Sequence, residues 1–184
     1  MALVESTMVP LGTEAHDFNL DGTDDNTYSL TSFTHSEIIV IVFMCNHCPY
    51  VKAVLQRLIN LQNEFINRGV QFIGINSNDA RSYPDDSLEN MKIIAKEKGL
   101  SFPYLFDSSQ STAKKYNAVC TPDLYVYGRN RKLIYRGRVD DNWEHQEKVT
   151  KNDLKLALEN ILTGKLVASE QIPSIGCSIK WKTP

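Results

Sequence analysis

The sequence predicts an α/β fold, a three-layer sandwich in which helices cover both faces of a mixed central sheet. Two observations support this prediction. Apolar runs of strand length alternate with segments of helical periodicity, which indicates βαβ units with parallel strands. The run EIIVIVFM at 37–44 is rich in β-branched residues, as is typical of a central strand covered on both faces. We expect a single domain over residues 1–184, with its core at about 10–162.

Length and composition are those of an ordinary globular protein. The chain has 184 residues, 42% hydrophobic and 23% charged, with a net charge of −2. It is long enough to bury a core, and it lacks the basic footprint of a nucleic-acid-binding protein. No apolar run approaches the ~20 residues of a membrane span, and the first residues do not resemble a secretory signal. We therefore expect a cytoplasmic protein that binds neither nucleic acid nor membrane.

The first elements follow from alternation and from turn residues. Residues 17–30 alternate on both sides of the turn sequence DGTDDN, which predicts an N-terminal β-hairpin. The central strand at 37–44 comes next. Pro49 then suits the first turn of a helix, because its missing N–H is not needed there. Helical spacing continues from this proline to Gly69, where the helix is expected to end.

The middle of the chain repeats the alternation of strands and helices. Residues 70–75 predict a second strand. A helix is expected to begin at Ser87, a favourable N-cap residue, and to stop at Gly99. Residues 104–106 then predict a short strand and residues 109–116 a short helix.

The last part of the predicted sheet is an antiparallel hairpin. Strands at 124–127 and 132–136 are separated by a short loop containing glycine. Thr150 and Asp153 resemble a capping box and predict the start of a final helix. The remaining residues, 163–184, show no periodicity, and we expect them to form an irregular C-terminal tail.

Two cysteines lie where the central strand meets the following helix. Cys45 and Cys48 are three residues apart, and Cys48 comes directly before the first helical turn. Unpaired backbone N–H groups and the helix dipole stabilise a thiolate there. Cysteines in C-x-x-C motifs have pKa values of roughly 3.5 to 7.5, against about 8.5 for a free thiol. The spacing also brings both sulfurs within disulfide reach.

The arrangement predicts a redox-active pair with distinct roles for its members. We expect Cys45 to be exposed and to attack, and Cys48 to lie beneath it and resolve the mixed disulfide. A protonated His47 would lower the pKa of Cys45 further and make the pair more oxidising. No metal or organic cofactor is needed, because electrons would come from protein or small-molecule thiols.

Two other interpretations of the cysteine pair remain open. Cys45 and Cys48 could be buried structural thiols, or they could bind copper together with a distant histidine. The candidate histidines are His16, His35 and His145. Zinc is less favoured, because zinc sites usually need two close ligand pairs and the sequence has only one.

A second candidate element lies just before the strand at 124–127. Thr121 precedes Pro122 there, and X-Pro bonds are the ones that become cis. A cis bond beside the cysteines would leave the Thr121 backbone free to pair with an extended substrate. A trans bond would only start the strand, and the sequence does not distinguish between the two isomers.

Two further cysteines and one charged segment lie outside these elements. Cys120, two residues before Pro122, is either a second resolving thiol or a small residue packed behind the loop. Cys177, in the tail, either reaches back to the pair as an accessory thiol or anchors the tail. The segment RGRVDDN at 136–142 is expected to form a salt-bridged rim on the surface.

Taken together, these stretches resemble the thioredoxin superfamily, and within it the alkyl hydroperoxide reductase and thiol-specific antioxidant (AhpC/TSA) branch. Residues 10–33 are similar to that branch's leader, 41–53 to its redox strand, loop and helix, and 119–141 to its cis-proline strand and hairpin. The motif CNHC and the tail IPSIGCSIKWK resemble a subgroup of uncharacterised thioredoxin-like proteins. The resemblance implies thiol–disulfide oxidoreduction of the antioxidant type, with hydroperoxide reduction as the alternative.

The sequence also departs from the patterns of both better-known groups. Thioredoxins keep an acid six residues before the first cysteine, where this chain has Ile39. Peroxiredoxins carry the motif P-x-x-x-T/S-x-x-C, which ends at the peroxidatic cysteine. When the motif is aligned with this chain, Cys48 takes the peroxidatic position, Ile41 replaces the proline, and Cys45 replaces the threonine or serine. No arginine lies in the stretch 119–126, where one that orients peroxide would be expected. The pair therefore fits dithiol exchange better than peroxide chemistry.

Overall fold

A seven-stranded mixed sheet forms the centre of the molecule, and a second sheet has three strands. The computed structural model describes residues 3–183. The strands are β1 (Leu3–Glu5), β2 (Asn19–Gly22), β3 (Thr27–Ser29), β4 (Ile38–Phe43), β5 (Val70–Asn76), β6 (Tyr104–Phe106), β7 (Cys120–Thr121), β8 (Asp123–Tyr127), β9 (Leu133–Tyr135) and β10 (Ile175–Ser178). The α-helices are α1 (Pro49–Phe65), α2 (Leu88–Lys98), α3 (Ser111–Tyr116) and α4 (Asp153–Leu162).

The larger sheet has the strand order β3-β2-β6-β5-β4-β8-β9. The central strand β4 pairs in parallel with β5 and antiparallel with β8. All of its residues are buried, which explains why its sequence is continuously apolar rather than alternating. The predicted mixed sheet and N-terminal hairpin are confirmed.

Alternate residues of β4 enter two separate apolar cores, one on each face of the sheet. Ile39, Ile41 and Phe43 pack in one core with Ala113 and Tyr116 of α3. The other residues of β4 pack in a second core with side chains of α1, α2 and α4. The molecule is therefore the three-layer sandwich that the sequence predicts. No helix within residues 3–183 combines the length and the apolar character that crossing a bilayer requires.

One predicted helix cap is confirmed, and another is wrong although its helix begins where the sequence predicts. Ser87 caps α2, and its side chain accepts a hydrogen bond from the backbone N–H of Asn90. The predicted capping box of Thr150 and Asp153 does not form. Helix α4 begins at Asp153 without a side-chain cap, because the Thr150 hydroxyl and backbone N–H both donate to the Asp141 carboxylate.

The expected irregular tail over 163–184 is wrong in part. Within it, β10 pairs antiparallel with β1 on one side and with β7 on the other. The Lys180 carbonyl oxygen then accepts hydrogen bonds from the Asp79 N–H and the Gln110 side chain. The sequence does not reveal this strand because it is short and its burial does not alternate. Its partners come from the start and the middle of the chain.

The charged segment 136–142 does not form a surface rim. Arg136 is fully buried, forms an ion pair with Asp123 at the start of β8, and lies 3.8 Å from the centre of the Tyr125 ring. At the other end of the segment, Asp140 accepts a 2.6 Å hydrogen bond from Arg57 of α1. These buried pairs fix the segment after β9 to the central sheet and to α1.

Candidate redox site

The loop between β4 and α1 carries the cysteine pair. Cys48 is the N-cap residue of α1 and Pro49 occupies its first turn, as the sequence predicts. Cys45 lies two residues beyond the end of β4. Both cysteines are free thiols in this structure. A fully buried strand on one side and a long helix on the other therefore hold the pair in place.

Neither sulfur is on the open surface. Cys45 is 2% exposed and Cys48 is fully buried, so the expectation that Cys45 is exposed is wrong. The reason is that the loop folds inward, and both residues belong to the apolar core beneath α1. Cys45 nevertheless lines a groove of about 410 Å³ between α1 and α2, with Lys52 and Ile94 among its walls. Cys48 is not part of that wall.

Several hydrogen-bond donors converge on the sulfur of Cys48. They lower its pKa to about 4. The bond from the Cys45 thiol is the largest cause; burial opposes the shift, and the Thr121 hydroxyl, the Val51 backbone N–H and the Cys177 thiol add to it. When Cys48 is protonated, its thiol can donate to the Thr121 carbonyl oxygen, which lies 3.1 Å away. The reduced site is therefore built to hold a thiolate at Cys48.

The opposite holds at Cys45, whose pKa is raised well above its usual range. The hydrogen bond that its thiol donates to Cys48 is the largest cause, followed by burial and by the negative charge of Asp86. The Thr121 hydroxyl, 3.5 Å from the Cys45 sulfur, acts in the other direction. The sequence predicts the thiolate at Cys45, whereas the N-terminus of α1 faces Cys48 and a carboxylate lies near Cys45. The reduced pair thus shares one proton, which stays on Cys45.

Asp86 is the main residue of the site that sequence reasoning missed. It is fully buried and lies in the loop between β5 and α2. Its carboxylate accepts hydrogen bonds from the Asn46 backbone N–H at 2.7 Å and from the Asn78 side chain at 2.8 Å. It also lies 2.7 Å from Nδ1 of His47. The only signal in the sequence is that two adjacent aspartates follow a predicted parallel strand, which is too common to identify one of them.

His47 is held between this carboxylate and an aromatic ring. Its imidazole stacks on Tyr83, with the ring planes 10° apart and the centroids at 5.4 Å. The contact with Asp86 is an ion-pair distance rather than an aligned hydrogen bond, and neither ring nitrogen has a well-aligned partner among residues 3–183. The role of His47 in tuning a thiolate stays a prediction.

Donor atoms of Cys45, His47 and Asp86 lie within 4.8 Å of one another, and among the residues described no other such group of metal-ligand types forms. The three histidines considered for copper binding therefore do not join the cysteine pair.

The Thr121–Pro122 peptide bond is cis, which is one of the two isomers left open by the sequence. Thr121 touches both sulfurs, Cys45 through its hydroxyl and Cys48 through its carbonyl oxygen. The expectation that its backbone is free for a substrate is wrong, because β10 pairs with it, Cys177 opposite Thr121. The fold thus brings the cysteine loop and the cis-proline loop together, as the sequence predicts, and adds the C-terminal strand β10 to the site.

The two accessory cysteines occupy different positions. Cys120 is fully buried, with its sulfur 3.8 Å from the Pro122 carbonyl oxygen, and burial raises its pKa far above the ordinary range. Cys177 is 2% exposed and lies in the same apolar core as Cys45 and Cys48. Burial first, and the interaction with the Cys48 sulfur second, raise the pKa of Cys177 to about 11. Cys177 therefore belongs to the sulfur cluster, whereas Cys120 packs behind the loop.

Two solved structures are similar to this chain over nearly its whole length. An uncharacterized conserved protein from Geobacillus kaustophilus is 47% identical, with a TM-score of 0.95 over 100% of this chain and 98% of that one. A hypothetical protein from Sinorhizobium meliloti is 40% identical, with a TM-score of 0.93 over 98% of this chain and 99% of that one. No curated protein matches the chain.

A more distant structure identifies the fold of the chain, and a family match identifies its family. The thioredoxin domain of a thiol-disulfide oxidoreductase from Bacteroides vulgatus is 16% identical, with a TM-score of 0.61 over 70% of this chain and 89% of that one. This likeness shows a shared thioredoxin-like fold. Residues 11–136 match the AhpC/TSA family, a stretch that includes the cysteine pair, Asp86 and the cis-proline loop. The chain therefore belongs to the AhpC/TSA family and has a thioredoxin-like fold.

Proposed function

We propose that this protein is a thiol–disulfide oxidoreductase that cycles between a Cys45–Cys48 dithiol and the corresponding disulfide. Family and fold support an oxidoreductase of the thioredoxin type. The observation that carries the specific reaction is the position of the two sulfurs at the N-terminus of α1, where Thr121 contacts both of them and the pKa of Cys48 is lowered while that of Cys45 is raised. One sulfur is held as a thiolate and the other as its proton donor, which is the resting state of a dithiol ready to become a disulfide.

In the forward reaction, the sulfur of Cys45 attacks a disulfide of the substrate. We assign the attack to Cys45 because it lines the groove between α1 and α2. As the new sulfur–sulfur bond forms, the proton of Cys45 passes to the neighbouring thiolate of Cys48, and half of the substrate leaves as a thiolate. Cys48 then loses that proton and attacks Cys45, which releases the second half. Two electrons pass from the dithiol to the substrate, and the protein is left as a disulfide.

The surroundings of the pair favour the reduced form. Because the thiolate of Cys48 exists only when the pair is reduced, each hydrogen bond that stabilises it also stabilises the dithiol against the disulfide. We therefore expect a reduction potential above the roughly −270 mV of thioredoxin. Equilibration with glutathione mixtures, followed by alkylation and mass spectrometry, measures this potential.

The function is tested with a trapping variant and a matched control. In Cys48→Ser, Cys45 has no resolving thiol and should accumulate as a mixed disulfide with the substrate. Cys120→Ser, which alters a buried cysteine away from the pair, should turn over normally. Failure of Cys45 and Cys48 to form a disulfide anywhere in the glutathione titration would contradict the proposed function.

Hydroperoxide reduction is a second candidate, and one observation favours it. Cys48 takes the position of the peroxidatic cysteine and holds the thiolate. Peroxide would convert it to a sulfenic acid and an alcohol, and Cys45 would then form the disulfide with loss of water. The arginine nearest in sequence to the proline loop, Arg129, pairs instead with Glu37 at the surface. Consumption of a hydroperoxide at a rate abolished by Cys48→Ser would establish this activity.

A further inference from the structure

The strand β10 occupies the edge where an extended substrate would pair. It runs antiparallel to β7, with Cys177 opposite Thr121 and Ser178 opposite Cys120. The Ile179 N–H continues the ladder to the Val119 carbonyl oxygen at 2.9 Å. Addition of an extended strand to a sheet edge is a common mode of peptide recognition. Here the chain's own C-terminal segment takes that place beside the cis-proline loop.

A glycine lets this strand approach closely. A Cβ at Gly176 would collide with the carbonyl oxygen of Thr121 and lie 2.7 Å from its carbonyl carbon and 3.2 Å from Pro122. These atoms belong to the backbone and to a proline ring, so they could move aside only if the loop itself shifted. Gly176 is therefore needed for β10 to lie against the loop, and its position fixes that of the next residue, Cys177.

The result is a row of three sulfurs with Cys48 in the middle. The sulfur of Cys48 lies 3.1 Å from the Thr121 carbonyl oxygen, and Cys177 lies opposite Thr121 across the strand pair. All three cysteines belong to one apolar core, and the thiols of Cys45 and Cys177 both lower the pKa of Cys48. Cys120 is adjacent to Cys177 across the strand pair, yet its sulfur contacts the Pro122 carbonyl oxygen instead. Only Cys177 therefore offers a third thiol within reach of the pair.

We propose that Cys177 is a third redox-active thiol, which exchanges with the Cys45–Cys48 disulfide to give a Cys48–Cys177 disulfide. This inference rests on the proposed function. The Cys177 thiol loses its proton and its sulfur attacks the sulfur of Cys48. The Cys45–Cys48 bond breaks, and Cys45 leaves as a thiolate that takes up a proton. No external oxidant is consumed, because one disulfide replaces another.

The exchange is controlled by the oxidation state of the pair. In the reduced protein, burial is the largest cause of the high pKa of Cys177, and the Cys48 sulfur and its negative charge add to it. The two contributions of Cys48 disappear once Cys48 is part of a disulfide, while the positive charge of Lys180 still acts to lower the pKa. Cys177 therefore becomes a better nucleophile only after the pair is oxidised.

The exchange has a consequence for catalysis. It moves the disulfide beneath β10 and returns Cys45, the sulfur that lines the groove, to its thiol form. A second substrate molecule can then react at Cys45 while the protein still carries the Cys48–Cys177 disulfide formed from the first.

The test is a disulfide map of the full-length protein after brief oxidation with oxidised glutathione, acid quenching and mass spectrometry. We expect both Cys45–Cys48 and Cys48–Cys177 in the wild type, and only Cys45–Cys48 in Cys177→Ser. In Cys45→Ser, hydrogen peroxide replaces glutathione as the oxidant, because it is small enough to reach the buried Cys48. It should oxidise the Cys48 thiolate to a sulfenic acid, and Cys177 should then attack that sulfur with loss of water to give Cys48–Cys177. Cys120→Ser serves as the control and should match the wild type.

The outcomes separate this inference from the proposed function. Cys45–Cys48 as the sole disulfide of the wild type, with Cys177 free in Cys45→Ser, would overturn the third-thiol role and leave the proposed function intact. Absence of Cys45–Cys48 in Cys177→Ser would overturn the proposed function itself. As a second variant, Gly176→Ala in the Cys45→Ser background should slow formation of Cys48–Cys177 at least tenfold, and an unchanged rate would contradict the docking of β10.

Discussion

Cys48 holds the negative charge of the reduced pair because the donors of the site face it. The Cys45 thiol and the Val51 N–H lower the pKa of Cys48, whereas the carboxylate of Asp86 is a negative charge near Cys45 that raises the pKa of Cys45. A sequence motif shows that two sulfurs are close, but it does not show which of them receives more hydrogen bonds. Substrate access differs from charge, because the groove between α1 and α2 reaches Cys45 and not Cys48. Cys48 therefore holds the negative charge, and Cys45 is the sulfur that a substrate can reach.

Asp86 should control the reactivity of Cys45. In a Cys48→Ser background, Asp86→Asn removes a negative charge that raises the pKa of Cys45, so the pKa of Cys45 should fall and its alkylation at neutral pH should become faster. Rates of alkylation measured across pH give this pKa. The matched control is Asp85→Asn, because Asp85 is exposed and only its backbone carbonyl contacts the site, through Asn46. Equal pKa values in the two variants would contradict the role of Asp86.

At the scale of elements, the cis-proline loop is fixed by buried charge as well as by strand pairing. Asp123 comes directly after Pro122 and pairs with Arg136, which follows β9. The same guanidinium donates to the Thr7 carbonyl oxygen at 2.8 Å. One arginine therefore connects the start of β8, the segment after β9 and the N-terminal segment. Removing either charge leaves the other buried and unpaired.

Single substitutions of this pair should be strongly destabilising. We expect Arg136→Met or Asp123→Asn to lower the free energy of unfolding by about 3–5 kcal/mol, since each leaves the other residue as a buried charge without a counter-charge. The double variant Arg136→Met/Asp123→Leu should recover much of the loss. Denaturant unfolding measures these values.

The exposed ion pair of Arg129 and Glu37 provides the control for that experiment. Arg129→Met should lower the free energy of unfolding by less than about 1 kcal/mol, because exposed pairs are screened by solvent. If Arg136→Met had an equally small effect, the buried pair would not be holding the loop.

Local signals predicted most elements, and the exceptions have physical reasons. Pro49, Ser87 and Gly99 act within one helical turn, so the start of α1 and both ends of α2 follow from neighbouring residues. Helix α1 ends at Phe65, before the predicted Gly69, because a 3-10 turn at Ile66–Arg68 follows it. The capping box at Thr150 failed because Asp141, nine residues away, competes for the same hydroxyl. Strand β10 was missed because its stability comes from pairing with β1 and β7 rather than from its own sequence.

At the scale of the whole molecule, the thiolate of Cys48 links folding to pH. Its pKa is about 4 in the folded protein and about 8.5 in the unfolded chain. Folding therefore releases a proton between these values, and stability from this group rises with pH across that window. The contribution is fully present above about pH 8.5 and is lost as the pH falls through 4. Cys45, whose pKa is raised, is protonated in both states below that upper limit and adds nothing to the window.

The stability of the reduced protein should show this dependence. The difference in the free energy of unfolding between wild type and Cys48→Ser should grow from pH 5 to pH 8, with other titrating groups common to both proteins cancelling. Urea unfolding under reducing conditions at several pH values measures it. Parallel curves for the two proteins would show that no thiolate is stabilised at Cys48.

The sequence by itself determined the layered fold, the strand–helix junction and the pairing of two sulfurs with a proline loop. These features depend on residues close together in the chain, where periodicity, capping and motif spacing act. Only the tertiary structure decided which sulfur is charged, which carboxylate lies beside Cys45, and which strand covers Thr121. Those features join residues 40 to 76 positions apart, or the middle of the chain to its end. Their energies come from burial and from long-range hydrogen bonds, which leave no periodic trace in the sequence.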